Sequence, residues 1–355
     1  MADLRSYSAP GTALASAALF GASTPFAKLL IGQGLDPQLL AGLLYLGSGL
    51  GLGILRVVRH LRGGAPAEAP LARPDLPWLA LVVLAGGILG PVLLMVGLAA
   101  TPAASAALLL NVEGLATMAI AWVVFRENVD RRLLIGALAI LAGAAVLSWQ
   151  GGPAPIGAGA FAIVAACLCW AVDNNLTRKL SSADPVQIAM IKGLAAGAVN
   201  LILALFRGAA LPGAPEIAAA GLIGFLGYGV SLVLFVLALR HLGSARTGAY
   251  FATAPFIGAG LAVVLLDDPL TLQLAASAIL MGAGVYLHLT ERHMHEHAHD
   301  AMEHAHRHIH DEHHQHEHRP DDPPGEPHSH VHNHEPTRHR HVHYPDLHHR
   351  HEHAH

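Results

Sequence analysis

Twenty-four of the chain's 27 histidines lie between His293 and His355, most of them at alternate positions. Neutral imidazole is a good ligand for zinc, nickel, cobalt and copper(II), and His-x-His in a flexible chain offers two nitrogens locally. The expected ligands are His293, His295, His297 and His299; His304, His306, His308 and His310; His313, His314, His316 and His318; and His328, His330, His332 and His334. The segment has no cysteine and only Met294 and Met302 as soft ligands, which argues against copper(I). Three uses of a bound divalent metal stay open: a sensor or gate, a store, and no use beyond a solubilising tail.

A second set of chemistry-bearing residues is embedded in apolar sequence: Asn111 and Glu113, then Trp170, Asp173, Asn174 and Asn175, then Lys192, with Lys28 nearer the start. A charge at the centre of a bilayer costs about 2.5–3.5 kcal/mol on insertion scales, so each needs a partner or a wet cavity. In one reading Glu113 takes up a proton or a cationic group inside a central cavity. In the other, Lys192 or Lys28 neutralises it and the pair only pins helices together. Asp173 has a similar choice, since Arg178 is little more than a turn away. The asparagines suit hydrogen bonds to a substrate or between helices, and Trp170 suits a cavity wall or a packed interface. Cys167 and Cys169 point apart on a helix and cannot bridge, although Cys169 and Asp173 share a face.

The elements that must carry these residues follow from composition. The 355 residues are 53% hydrophobic and 13% charged, about half the usual charged share of a soluble domain. A helix needs roughly 20 apolar residues to cross the hydrocarbon layer. Ten such runs occur, at 12–32, 38–57, 77–99, 103–125, 132–149, 156–176, 185–206, 217–239, 247–266 and 271–290. Breaks such as Asp36-Pro37, Asp184-Pro185 and Asp268-Pro269 separate them. With both termini inside, the inner segments hold twelve basic residues and the outer loops only Arg207. Basic residues favour the cytoplasmic side, so both termini are expected there.

The two halves share a pattern. An offset of 141 places Glu127 on Asp268 and Ala142-Gly143 on Ala283-Gly284. Phe20 and Lys28 in the first run match Trp170 and Arg178 in the sixth. Five spans per half is odd, so such halves are inverted, as in many alternating-access carriers.

On these residues the chain resembles the drug/metabolite transporter superfamily, in particular its EamA-type ten-helix members, over roughly residues 10–290. The resemblance rests on Phe20-Gly21-Ala22-Ser23-Thr24-Pro25-Phe26-Ala27-Lys28, on Phe125-Arg126-Glu127, on the small-residue helix Gly136–Ser148, and on Ala254-Pro255 through Asp268. One position departs: where members usually carry a proline in the fourth span, as Pro255 stands in the ninth, this chain has Gly114 beside Glu113.

The expected protein is therefore an all-α polytopic membrane protein of ten transmembrane helices in two inverted five-helix repeats, 1–150 and 151–290. A disordered, metal-binding cytoplasmic tail follows over 291–355. The resemblance implies a secondary transporter of a small organic solute or metabolite, in the efflux direction, across the inner membrane. The alternative cargo is a divalent metal or its chelate, gathered by the tail. That pathway has no histidine inside spans one to nine to serve it. Substrate contacts are expected from Glu113, Asn111, Asp173, Asn174, Trp170 and Lys192. The partners are the solute, the lipid bilayer and divalent metal ions, with a homodimer also allowed. No cofactor is required. Nucleic acid is excluded, because topology accounts for the basic residues. An enzyme is excluded as well, for want of a nucleotide loop, a nucleophile elbow or a zinc-hydrolase helix.

Overall fold

Two Asp-Pro steps start equivalent helices in the two halves. Asp36 caps α2 (Pro37–Leu61), accepting hydrogen bonds from the backbone N–H groups of Gln38 and Leu39 at 2.9 Å. Asp184 caps α7 (Pro185–Phe206), accepting from Val186 at 2.9 Å. In both, proline takes the first helical position, where its missing N–H costs nothing.

The computed structural model describes residues 9–62, 71, 73–125, 131–149, 157–180, 184–235, 237–238 and 250–289, and in the tail 294–299, 302–308, 328–334 and 337–342. The other helices are α1 (Ala9–Gly32), α3 (Arg73–Ala99), α4 (Ala103–Ile120, continued to Phe125) and α5 (Arg131–Ser148). The second half adds α6 (Ala158–Leu180), α8 (Ala214–Phe235), α9 (Ala254–Leu266) and α10 (Leu272–Leu289). Among the described residues seven helices are long and apolar enough to cross a membrane, and three shorter apolar ones lie in α5, α9 and α10. This part of the chain is all-α and polytopic. Its many exposed large apolar side chains, such as Leu50, Ile54, Phe161 and Phe206, suit a lipid surround.

The bounds expected from hydropathy need small corrections. The fourth run is broken by a turn at Leu110, between Ala103–Leu109 and Asn111–Phe125. The described α9 starts only at Ala254, after a turn at Ala252 and Thr253, and residues 239–249 lie outside the described set. The Phe125-Arg126-Glu127 element also lies largely outside it.

Packing follows the repeat. Helices α3 and α4 both pack against α6, as α8 and α9 pack against α1; α2 packs on α7 and α5 on α10. Arg207, at the C-terminal end of α7, pairs with Asp36 at 3.8 Å, while Arg56, near the end of α2, pairs with Asp184 at 3.3 Å. The two ion pairs join opposite ends of equivalent helices, so α2 and α7 run antiparallel. Glycine lets them approach closely: a Cβ on Gly193 would lie 2.6 Å from the backbone nitrogen of Gly49. Small residues at such contacts give the backbone-to-backbone packing that substitutes for a hydrophobic drive inside lipid.

Each half also carries one π-helical segment, Val83–Leu89 in α3 and Phe225–Val230 in α8. These stand at an offset of 141–142, and Gly86 and Gly227 occupy equivalent places. Gly86 faces the Asp173 side chain of α6, and Gly227 faces the Ser23 side chain of α1, with its Cβ 2.7 Å from where a glycine Cβ would lie.

The tail from Arg292 forms a separate compact unit. Although no regular structure is expected there, its described residues take four short strands: β1 (Met294–His299), β2 (Met302–His308), β3 (His328–His334) and β4 (Thr337–Val342). β1 pairs antiparallel with β4, and β2 with β3, placing His304 opposite His332 and His306 opposite His330. The physical reason is the alternation itself, since a period of two is the strand period. Of the other expected ligands, His293, His310, His313, His314, His316 and His318 lie outside the described residues.

The α2–α7 contact is testable. Gly193→Val should destabilise the full chain in detergent by about 1–3 kcal/mol, the usual cost of overpacking. Gly32→Ala, where a Cβ meets nothing within 4 Å, should leave the thermal midpoint unchanged. Equal midpoints for both variants would contradict the close approach.

Candidate functional site

A π turn pulls a backbone carbonyl out of the α-helical ladder and offers it to other groups. In α3 that offer is taken up by three helices. Gly86 O accepts hydrogen bonds from Tyr45 Oη of α2 at 2.7 Å and from Trp170 Nε1 of α6 at 3.0 Å. Asn200 Nδ2 of α7 reaches Gly87 O at 3.3 Å and Ile88 O at 3.5 Å. The same glycines have no Cβ to keep polar side chains away. A Cβ on Gly86 would collide with the Asp173 carboxylate, and one on Gly87 would sit 3.5 Å from the Lys192 stem.

Into that space α6 and α7 deliver an ion pair. Lys192 Nζ donates to Asp173 Oδ2 in a short contact, and Thr177 Oγ1 donates to Asp173 Oδ1 at 3.1 Å. Asp173 is 4% exposed. A buried carboxylate with an ammonium and a hydroxyl on its two oxygens is electrically satisfied.

Glu113 is placed differently. Its Oε1 accepts from Asn174 Nδ2 at 2.9 Å, and the same amide lies 3.4 Å from Thr117 Oγ1. Asn175 Nδ2 holds the backbone in place, donating to Ala171 O at 2.8 Å and Thr117 O at 3.3 Å. No ammonium or guanidinium pairs with Glu113 among the described residues. The glutamate is half-buried and Asn174 is exposed, whereas Leu108, Leu109 and Leu110 above them are buried.

The two lysines proposed as partners of Glu113 are both engaged elsewhere. Lys192 belongs to Asp173, as above. Lys28 donates to the carbonyls of Leu98, Ala99 and Thr101 at 2.6, 3.3 and 3.0 Å, closing the C-terminal end of α3. A cation there is favoured by the helix dipole. Asn111 turns to its own helix, donating to Leu108 O at 2.9 Å. Trp170 is buried, with its N–H committed to Gly86. Cys167 is buried against Leu109 O, and among the described residues no three of His, Cys, Asp and Glu converge as a metal site.

Aromatic residues complete the surroundings, and most were not foreseen from sequence. Rings run in contact from Phe235 to Phe251 (4.8 Å between centroids), to Phe20 (5.3 Å), to Tyr228 (5.9 Å) and to Tyr45 (5.4 Å). The row ends at the polar cluster, where the Tyr45 hydroxyl donates to Gly86 O and Gly86 in turn lies against the Asp173 carboxylate. The trace these segments leave in the sequence is the Gly86-Gly87 pair, matched by Gly227 and Gly229 in the second half, which hydropathy alone passes over.

The model of the EamA-like transporter family matches residues 9–149 and again residues 157–290. An uncharacterized transporter of Methanothermobacter thermautotrophicus is 28% identical over 282 residues, 76% of this chain and 82% of that protein. A solved crystal structure superposes with a TM-score of 0.58 at 21% identity, over 78% of this chain and 94% of its own length.

Two glycines separate the site's requirements. Gly86→Ala should lower the thermal midpoint of the full chain, by about 1–3 kcal/mol of overpacking and displaced ion pair. Gly114→Ala, with nothing within 4 Å, should cost less than about 0.5 kcal/mol. Differential scanning fluorimetry reads both, and a silent Gly86→Ala would contradict the Asp173 placement.

Proposed function

The chain belongs to the EamA-like transporter family, and from that premise we propose that it is a secondary carrier of a small organic solute. Its binding site lies between α3, α4, α6 and α7. It is a multi-pass membrane transporter and not an enzyme. The observation that carries the reading is the half-buried Glu113, held by an amide and free of a cationic partner among the described residues, beside a neutralised Asp173–Lys192 pair. A carboxylate so placed inside a membrane protein needs either a proton or a cationic group from its ligand.

A carrier cycle follows from that need. A proton or solute on Glu113 removes the net charge of the polar cluster and lowers the cost of closing apolar side chains over it. The empty, ionised site resists closure. Solute and proton then exchange at one carboxylate, and the inverted halves α1–α5 and α6–α10 rock about it. We place both termini in the cytoplasm, from the excess of basic residues on the inner segments, and assign efflux across the inner membrane from the resemblance to the superfamily. The tail, in this reading, binds divalent zinc, nickel, cobalt or copper(II) through its alternating histidines and regulates the carrier or stores the metal. No metal is needed for transport itself.

Proteoliposomes test this. Solute-driven proton flux should fall at least tenfold in Glu113→Gln and survive truncation after Arg292. The truncated chain should lose zinc binding measured by calorimetry. Zinc or nickel flux that falls in both variants would instead make metal the cargo and the tail its collector.

A further inference from the structure

We propose that the tail binds zinc across its paired strands rather than along them. Two adjacent rungs of opposed histidines supply four imidazole nitrogens to one ion, and the ion holds the strands in register. The inference rests on the reading of the tail as a binder of divalent metal, and it adds the ligand sets and a link between binding and folding.

The register of the two ladders carries it. In β1–β4, His295 opposes His341 and His297 opposes His339. In β2–β3, His304, His306 and His308 oppose His332, His330 and His328. Both ladders keep one register, since Met302 follows Met294 by as many positions as Val342 follows His334. Between the ladders the histidine positions change parity in both strands, from His299 to His304 on one side and from His334 to His339 on the other. A strand alternates faces with a period of two, so the histidines of each ladder share one face. A slip of one residue would undo the pairs: His297 would meet Arg338 or Arg340, and His306 would meet Ser329 or Val331. The other positions agree with the same register, with Glu296 opposite Arg340 and Ala305 opposite Val331.

Zinc in a closed site takes four ligands, with imidazole nitrogens at about 2.0–2.1 Å. One rung offers two. Opposed positions stand about 4.5–5.5 Å apart at Cβ, and the next rung on that face is about 7 Å along the strand, so the rings of two rungs can reach a shared ion. Among the described residues no three such ligands already converge, and drawing in the second rung falls to the ion. In β1–β4 the set is His295, His297, His339 and His341. In β2–β3 the middle rung, His306 with His330, serves whichever neighbouring rung joins it.

The strands need such a tie. A pair of strands is marginally stable at best in water, and neither ladder has an apolar face: opposite the histidines lie Glu296, Arg338 and Arg340 in one, Glu303 and Arg307 in the other. Where a site exists only in the paired form, binding free energy becomes folding free energy.

The test uses the full chain in nanodiscs, with zinc as the probe and a chelator of known affinity as competitor. His306→Ala and His330→Ala should each weaken one tightly held zinc by more than the roughly tenfold that loss of a ligand's hydrogen-bond partner costs. The double variant should lose little beyond either single one, because both residues serve one ion. His297→Ala combined with His306→Ala should weaken two ions. Hydrogen exchange gives a second readout: zinc should slow amide exchange in both 302–308 and 328–334. His306→Ala should abolish that protection in 328–334, the strand it does not touch. Losses that multiply for His306 and His330, or protection of 328–334 that survives His306→Ala, overturn the cross-strand sites and leave a tail that binds metal through local His-x-His. Zinc binding unaffected by truncation after Arg292 overturns the proposal together with the reading beneath it.

Discussion

The ion pair between Asp173 and Lys192 determines how every other charge inside the helical part is placed. A lone charge in the hydrocarbon layer costs a few kcal/mol, and breaking a buried pair costs about 3–5 kcal/mol. The pair therefore commits α6 and α7 to one register. It also requires α3 to come close without side chains, which is what Gly86 and Gly87 allow. The π turn that presents these glycines frees carbonyls, and Tyr45, Trp170 and Asn200 take them up. Once Lys192 is spent on Asp173 and Lys28 on the end of α3, Glu113 is left with an amide. Glu113 is the carboxylate that the structural pairing passes over.

The inverted repeat supplies a scaffold in which such an imbalance can arise. The Asp36–Arg207 and Arg56–Asp184 pairs tie equivalent helices at opposite ends, and the glycine contacts of α2 with α7 lie between them. These contacts are balanced across the two halves and serve stability. The polar cluster is unbalanced: at the offsets of 141, 150 and 148 that relate the halves, Glu113, Asp173 and Lys192 correspond to Ala254, Ser23 and Leu44. Symmetric positions hold the bundle together, and the charges stand at asymmetric ones.

Much of the frame could be read from the chain itself, because its signals are local or periodic. Apolar runs, Asp-Pro breaks and the offset of 141 identify helices and halves, and charge embedded in apolar runs singles out Glu113, Asp173 and Lys192. Pairing could not be read in that way. Arg178 is the nearest cation to Asp173 in sequence, yet Lys192 on the next helix reaches it, because distance across a helix pair is not distance along the chain. Tyr45, Tyr228 and Phe251 are ordinary aromatics in apolar runs until tertiary packing lines them up. The π segments leave only a faint mark, a glycine pair in each half. In the tail the alternating histidines drew attention to ligand chemistry, and the same alternation also suits strands.

The central claim is the division of partners: Lys192 with Asp173, and Glu113 with no paired cation among the described residues. A double-mutant cycle on the full chain in nanodiscs tests it most directly, using thermal unfolding of Lys192→Met, Asp173→Asn and Glu113→Gln alone and in pairs. Residues in contact show coupling of about 0.5–3 kcal/mol, and independent ones add to within about 0.5 kcal/mol. The account predicts coupling above about 1 kcal/mol for Lys192 with Asp173 and a markedly smaller coupling for Lys192 with Glu113. Strong coupling of Lys192 to Glu113, with additivity toward Asp173, would contradict it.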